Sequence, residues 1–235
     1  MQGSLLQQEL FDLLTLQYPD FSEAFFEQSV AYNKYGNYAK GFELLNQAVA
    51  INPSLHLGYR GYMKLRFLRD YEGALLDFDR LDSLTPNFVD APWGEGIDFL
   101  RGECYFASKD YQKAVVSFNR DIEHNKEDWV DIHTFVYLGL CAFELGKYEK
   151  SISEFQRALN QSEYIPESYL GMAKAYEKMG IMEKAKIHIV KEEEYIRYKR
   201  DDAYNEYLNE IYLSEVLAFK QQLINACAEQ SLASL

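Results

Sequence analysis

Along most of the chain, apolar residues recur at steps of three and four, the spacing that lines one face of a helix. The stretch LGLCAFELGKYEKSISEFQRAL, Leu138 to Leu159, shows it most cleanly: Tyr148 follows Gly139 by nine residues, and Ser151, Phe155 and Ala158 follow at helical steps. The tyrosine position recurs as Tyr38, Tyr71, Tyr111 and Tyr148 and then as Met182, at intervals of 33, 40, 37 and 34 residues. Behind it the positions read Gly41/Leu45/Ala48, Ala74/Phe78/Leu81, Ala114/Phe118/Asp121, Ser151/Phe155/Ala158 and Ala185/Ile189/Glu192. Each unit therefore predicts two antiparallel amphipathic helices joined by a tight turn. Gly36, Gly146 and Gly180 supply the positive φ that such a turn favours, and Arg69 and Lys109 stand at that position in the two middle copies. One hairpin cannot bury its own apolar face, so the copies must stack.

This pattern resembles the tetratricopeptide repeat, a 34-residue unit with a large residue, a Leu-Gly, a Tyr, then Ala, Phe and a closing Pro at set offsets. On that resemblance five copies cover residues 22–54, 55–88, 95–128, 132–165 and 166–199. The implied fold is all-α, a right-handed α-α superhelical solenoid of helical hairpins. Small residues such as Gly102, Gly139 and Ala173 let the first helix of a copy approach the second, and Phe118 or Phe155 fills the space between. Residues 1–21 fit the second helix of a unit, with Phe11 in the aromatic position, Leu14 behind it, and Pro19 lying 34 residues before Pro53. Two origins fit this lead-in helix: a cap on the array, or half of a repeat cut from a longer one. Residues 200–235 keep Tyr204, Tyr207/Leu208, Ile211/Tyr212 and Leu217 at helical spacing and predict one long capping helix.

The interval from Tyr71 to Tyr111 is longer than a repeat needs, and the excess falls at about residues 87–94, in NFVDAPWGEG. A smaller excess lies at about 125–131, in NKEDWV. Each holds one of the chain's two tryptophans, Trp93 and Trp129. Either the indole folds back over a gap between helices, or it stays exposed beside the groove as a binding hot spot. On both readings the first excess is a decoration on a binding scaffold, neither a domain boundary nor a catalytic motif.

Composition narrows the function. The 235 residues carry a formal charge of -13, and the most basic stretch, KEEEYIRYKRDD, is nearly balanced by acids, which argues against a nucleic-acid partner. No apolar run is long enough to insert in a membrane. Cys104, Cys141 and Cys227 form no C-x-x-C, and the first two share one repeat position, which marks them as small interior side chains. Free interior thiols fit a cytoplasmic protein; a periplasmic or lipoprotein domain with its signal removed would have the same composition. His56, His124, His133 and His188 have no metal-ligand spacing and read as surface or groove residues. Neither a phosphate loop nor a nucleophile elbow occurs, so the expectation is a non-catalytic protein with no cofactor and no metal.

The resemblance implies that the inner face is built from the first helix of each copy. The positions facing it are Phe26 and Val30, Phe99 and Glu103, Val136 and Leu140, and Leu170 and Lys174. In the second copy an extra residue fixes Tyr59 and Met63 only to within one position, and Phe106 and Phe143 extend the stripe. The Lys and Asn set with which some family members grip an acidic chaperone C-terminus is missing from every consecutive trio, so no carboxylate clamp carries over. The expected partner is a protein or peptide segment, apolar or amphipathic, bound by a monomer or weak homodimer. The competing readings are self-association through the groove and the C-terminal helix, internal filling of the groove by the terminal helices, and an enzyme subunit.

Overall fold

The computed structural model describes residues 4–127, 129–200 and 207–233, with side chains as far as 226. Two compact units divide the chain, residues 1–97 and 98–235. The division falls at the end of the Trp93 loop, where the sequence reading placed a decoration and no boundary.

In the first unit, α1 (Leu5–Gln17) precedes two hairpins, α2 (Ser22–Lys34) with α3 (Tyr38–Ile51) and α4 (Pro53–Met63) with α5 (Tyr71–Leu84). Ser4, Asn37 and Asp70 accept the backbone N–H three residues on, capping α1, α3 and α5. Pro53 opens α4, where its missing N–H costs nothing. The extra residue of this copy is absorbed in a π-helical turn, Lys64–Leu68, that continues α4. The turn follows Gly61, which meets Phe78 as Gly102 meets Phe118 and Gly139 meets Phe155, so the equivalents of Phe99 and Glu103 in this copy are Gly58 and Tyr62, one position before Tyr59 and Met63.

The second unit holds three hairpins: α6 (Ile97–Ala107) with α7 (Tyr111–Asn125), α8 (Ile132–Glu144) with α9 (Tyr148–Gln161), and α10 (Pro166–Lys178) with α11 (Met182–Tyr195). The closing helix, α12, runs Leu213–Ala233. It starts well after residue 200, because residues 207–212 form no helix. Tyr204 lies outside the described residues.

All five hairpin turns hold one residue in the left-handed region: Gly36, Arg69, Lys109, Gly146 and Gly180. The turn geometry thus imposes positive φ even where the side chain resists it. Between paired helices the packing is interdigitated. A Cβ added to Gly61, Gly102 or Gly139 would fall 2.5 Å from Phe78, 2.4 Å from Phe118 or 2.6 Å from Phe155. Those three phenylalanines are fully buried, each contributing roughly 2–3 kcal/mol by removal from water.

Candidate functional site

In residues 1–97 the inner-facing positions build a ladder of rings. Phe26 on α2 stacks on His56 with centroids 5.0 Å apart and meets the edge of Tyr59 at 5.1 Å. Tyr59 in turn lies 4.8 Å from Trp93, and Tyr62 lies 6.3 Å from it. His56 is buried, not a surface or open groove residue, and its Nε2 shares a 3.0 Å hydrogen bond with Ser22 Oγ. Burial pushes its imidazole below the ordinary value against the opposing pull of Glu23. The Tyr59 phenol is pushed up to about 12, again by burial, with Asn33 opposing. At neutral pH the rings of this ladder are themselves uncharged.

Trp93 is the exposed rung. The loop that carries it is held by several contacts. Thr85 Oγ1 donates to Asp90 Oδ2 at 2.5 Å, and Ile97 N donates to the Asp90 carbonyl at 3.0 Å. The ring of Pro92 lies against Gly58, whose missing Cβ would sit 3.2 Å from it. Glu95 forms an ion pair with Arg66 of the π-turn, and the Arg66 guanidinium lies 5.8 Å from the Tyr62 ring centre. Trp93 itself takes φ 57 and remains 57% exposed. It therefore closes no gap: one face rests on Tyr59 and Tyr62 while more than half of the residue is open to solvent. Trp129 is 83% exposed.

Within residues 98–235 the corresponding face is occupied by the chain itself. Phe106, Leu140, Leu170 and Lys174 line a cleft of about 210 Å³ together with Leu208, Ile211 and Glu215. Ile211 and Val216 are buried in one core with Leu170, Ala173, Ala185 and Ile189. Lys174 Nζ pairs with Glu215 at 2.7 Å. Phe143 is half-buried against Tyr148, with ring centres 5.5 Å apart.

Several inner-face candidates are interior packing residues instead. Val30, Met63, Phe99, Val136 and Leu170 are buried, and Tyr59 shows little beyond its ring edge. Glu103 is also buried, accepting a 2.8 Å hydrogen bond from the Tyr137 hydroxyl. The helical step that puts these positions toward the inner face also turns them into the seam between successive first helices. Of the proposed stripe, Phe26, Phe106, Leu140, Phe143 and Lys174 keep partial exposure. Tyr62 is absent from the expected stripe, and Leu208 and Ile211 reach the inner face from a non-helical segment instead of from the expected terminal helix. Tyr62 lies three residues after Tyr59 and shares its face, a signal obscured by the uncertain register of that helix.

Cys104 and Cys141 are buried, and burial, with Glu144 adding to it, raises the Cys141 thiol to about 12, far from a reactive thiolate. Among the described residues no three His, Cys, Asp or Glu side chains are placed to hold a metal ion, and no helix is long and apolar enough to cross a membrane.

Comparison with known proteins agrees with this geometry. Residues 134–162, which span most of α8 and all of α9, match the model of the tetratricopeptide repeat. The chain is 26% identical over 172 residues to tetratricopeptide repeat protein 13 of Homo sapiens, covering 71% of this chain and only 19% of that protein. Among solved structures it resembles PilW, a widely conserved type IV pilus biogenesis factor, at TM-score 0.64 and 15% identity, over 80% of this chain and 84% of that one. It also resembles YrrB, described as a tetratricopeptide protein with an unusual peptide-binding site, at TM-score 0.62 and 14% identity, over 80% and 92% of the two chains. Residues 134–162 thus match a tetratricopeptide repeat, and the chain has the all-α repeat fold of these structures.

Proposed function

We propose that this protein is a non-catalytic interaction module that takes an apolar or amphipathic segment of a partner protein on the inner face of residues 1–97, without a carboxylate clamp. The observation that carries the reading is Trp93, more than half exposed at the end of the ladder formed with Phe26 and Tyr59. A rigid, partly open aromatic next to other rings has the character of a binding hot spot. The second unit shows the same chemistry already satisfied. There the half-exposed positions Phe106 and Leu140, together with Leu170, meet the chain's own Leu208 and Ile211. The inner face of residues 1–97 leaves Trp93 exposed, whereas that of residues 98–235 is lined in part by the chain's own Leu208 and Ile211.

The test is a titration of labelled amphipathic peptides into the wild type and a Trp93→Ala variant. Wild type is expected to bind a subset of them, and the variant to lose about tenfold or more in affinity, the loss of a hot-spot residue. An acidic peptide ending in a free carboxylate is the control. If it binds better than every amphipathic peptide, or if Trp93→Ala binds as the wild type does, the reading fails.

A further inference from the structure

The lead-in helix α1 carries a second surface. Leu5, Leu6, Leu10, Leu13 and Leu16 are all more than half exposed, and no residue of α1 is buried. On a helical wheel the five leucines lie within an arc of about 140°. The inner side of the helix, with Phe11 and Leu14 half-buried, is a different face.

The register of the repeats shows that this leucine face is not hairpin packing left uncovered. With Phe11 aligned to Leu45, Phe78, Phe118, Phe155 and Ile189, the position of Leu6 is occupied in the five complete hairpins by Lys40, Gly73, Lys113, Lys150 and Lys184. That of Leu13 is occupied by Gln47, Arg80, Arg120, Arg157 and Lys191, and that of Leu16 by Ala50, Ser83, Glu123, Asn160 and Glu194. These are outward positions: the side chains of Lys113, Lys150 and Arg120 are 64%, 62% and 52% exposed. A first helix completing the hairpin would cover Phe11, Leu14 and also Leu10, whose equivalents Leu44, Asp77, Ser117 and Glu154 are buried, and would leave Leu5, Leu6, Leu13 and Leu16 in water. At the positions of Leu6 and Leu13 the other second helices carry Lys, Arg, Gln or Gly, and α1 alone carries a large apolar side chain at both.

Charge identifies the kind of occupant. Glu9 is exposed and falls within the leucine arc, Asp12 borders it, and α1 contains no basic residue. A second copy of α1 would bring carboxylates against carboxylates, and a bilayer would have to desolvate Glu9 without a partner. A helix with an apolar stripe and Lys or Arg beside it would bury the leucines and pair Glu9 together. We infer that the outer face of α1 is a docking site for a basic amphipathic helix of a partner protein, separate from the inner-face site.

The experiment uses the full chain and a Leu6→Lys, Leu13→Arg double variant, substitutions that place in α1 what the other second helices already carry. Circular dichroism and thermal melting confirm that the variant folds. A synthetic leucine-striped helix flanked by lysines, and the same helix flanked by glutamates, are titrated into both proteins. The wild type is expected to bind the lysine peptide at least about tenfold more tightly than the variant does, and than it binds the glutamate peptide, as loss of two buried leucines and a charge pairing implies. Equal binding by wild type and variant, or preference for the glutamate peptide, overturns the proposal. So does a wild-type dimer in sedimentation that the double variant abolishes, which would make a second copy the occupant, or wild-type binding to zwitterionic vesicles that the variant loses.

Discussion

Gly139 and Gly146 lie seven residues apart and need to be glycine for different reasons, and the difference is measurable. A Cβ on Gly139 would sit 2.6 Å from the Phe155 ring, whereas one on Gly146 would meet nothing within 4 Å but would have to adopt φ +71. Gly139→Ala is expected to lose about 1–3 kcal/mol from overpacking, and Gly146→Ala about 1 kcal/mol from backbone strain. Urea denaturation of both checks this; a Gly139→Ala loss no larger than a few tenths of a kcal/mol would mean the ring does not fill that gap. Both roles were legible in the sequence, because the repeat aligns each glycine with its equivalents. The fate of Trp93 was not. Spacing places it in an inserted loop, but whether an indole lies against Tyr59 or turns into solvent depends on Pro92, Gly58 and the Arg66–Glu95 pair, contacts that no periodicity encodes.

At the scale of elements, the least legible part was the C-terminal segment. Tyr207, Leu208, Ile211 and Tyr212 satisfy helical spacing, yet residues 207–212 are not helical. Their apolar side chains gain more from the cleft beside Leu140 and Leu170 than from extending α12, so tertiary packing overrides the local pattern. This segment and α12 also cover a buried acid. Glu192 on α11 is fully buried, and burial first, then Glu167 on α10, Glu193 on its own helix and Glu215 on α12, raise its carboxyl to about 8, with Lys174 on α10 opposing. The unfolded chain releases this proton near 4.5, the ordinary value of a glutamate. Between those values the native state holds a proton that the unfolded state has lost. Its contribution is fully present below about pH 4.5 and is lost as pH rises through about 8, at up to about 1.4 kcal/mol per pH unit. Glu192→Gln should match the wild type at pH 4.5 and exceed it in stability at pH 8.5. Chemical denaturation at the two values checks this, and parallel pH profiles would place Glu192 in contact with water.

For the molecule as a whole, the number of hairpins, their turns and the all-α class followed from one recurring tyrosine and the apolar steps behind it. The division at Ile97 and Asp98 did not, because an insertion of a few residues reads the same whether or not contacts continue across it. The surfaces that result differ in kind. Residues 1–97 expose Trp93 at the end of a largely buried aromatic ladder, and residues 98–235 line part of their own inner face with Leu208 and Ile211. The chain's charge of -13 favours partners that carry basic residues beside their apolar ones. The central claim is that the ladder ending at Trp93 receives the partner. Its most direct test uses the two indole N–H groups, which give separate signals in a nitrogen-edited NMR spectrum of the full chain. On titration with a binding amphipathic peptide, the Trp93 indole signal is expected to shift and the Trp129 signal to stay; movement of Trp129 alone, or of neither while the peptide binds, would contradict the account.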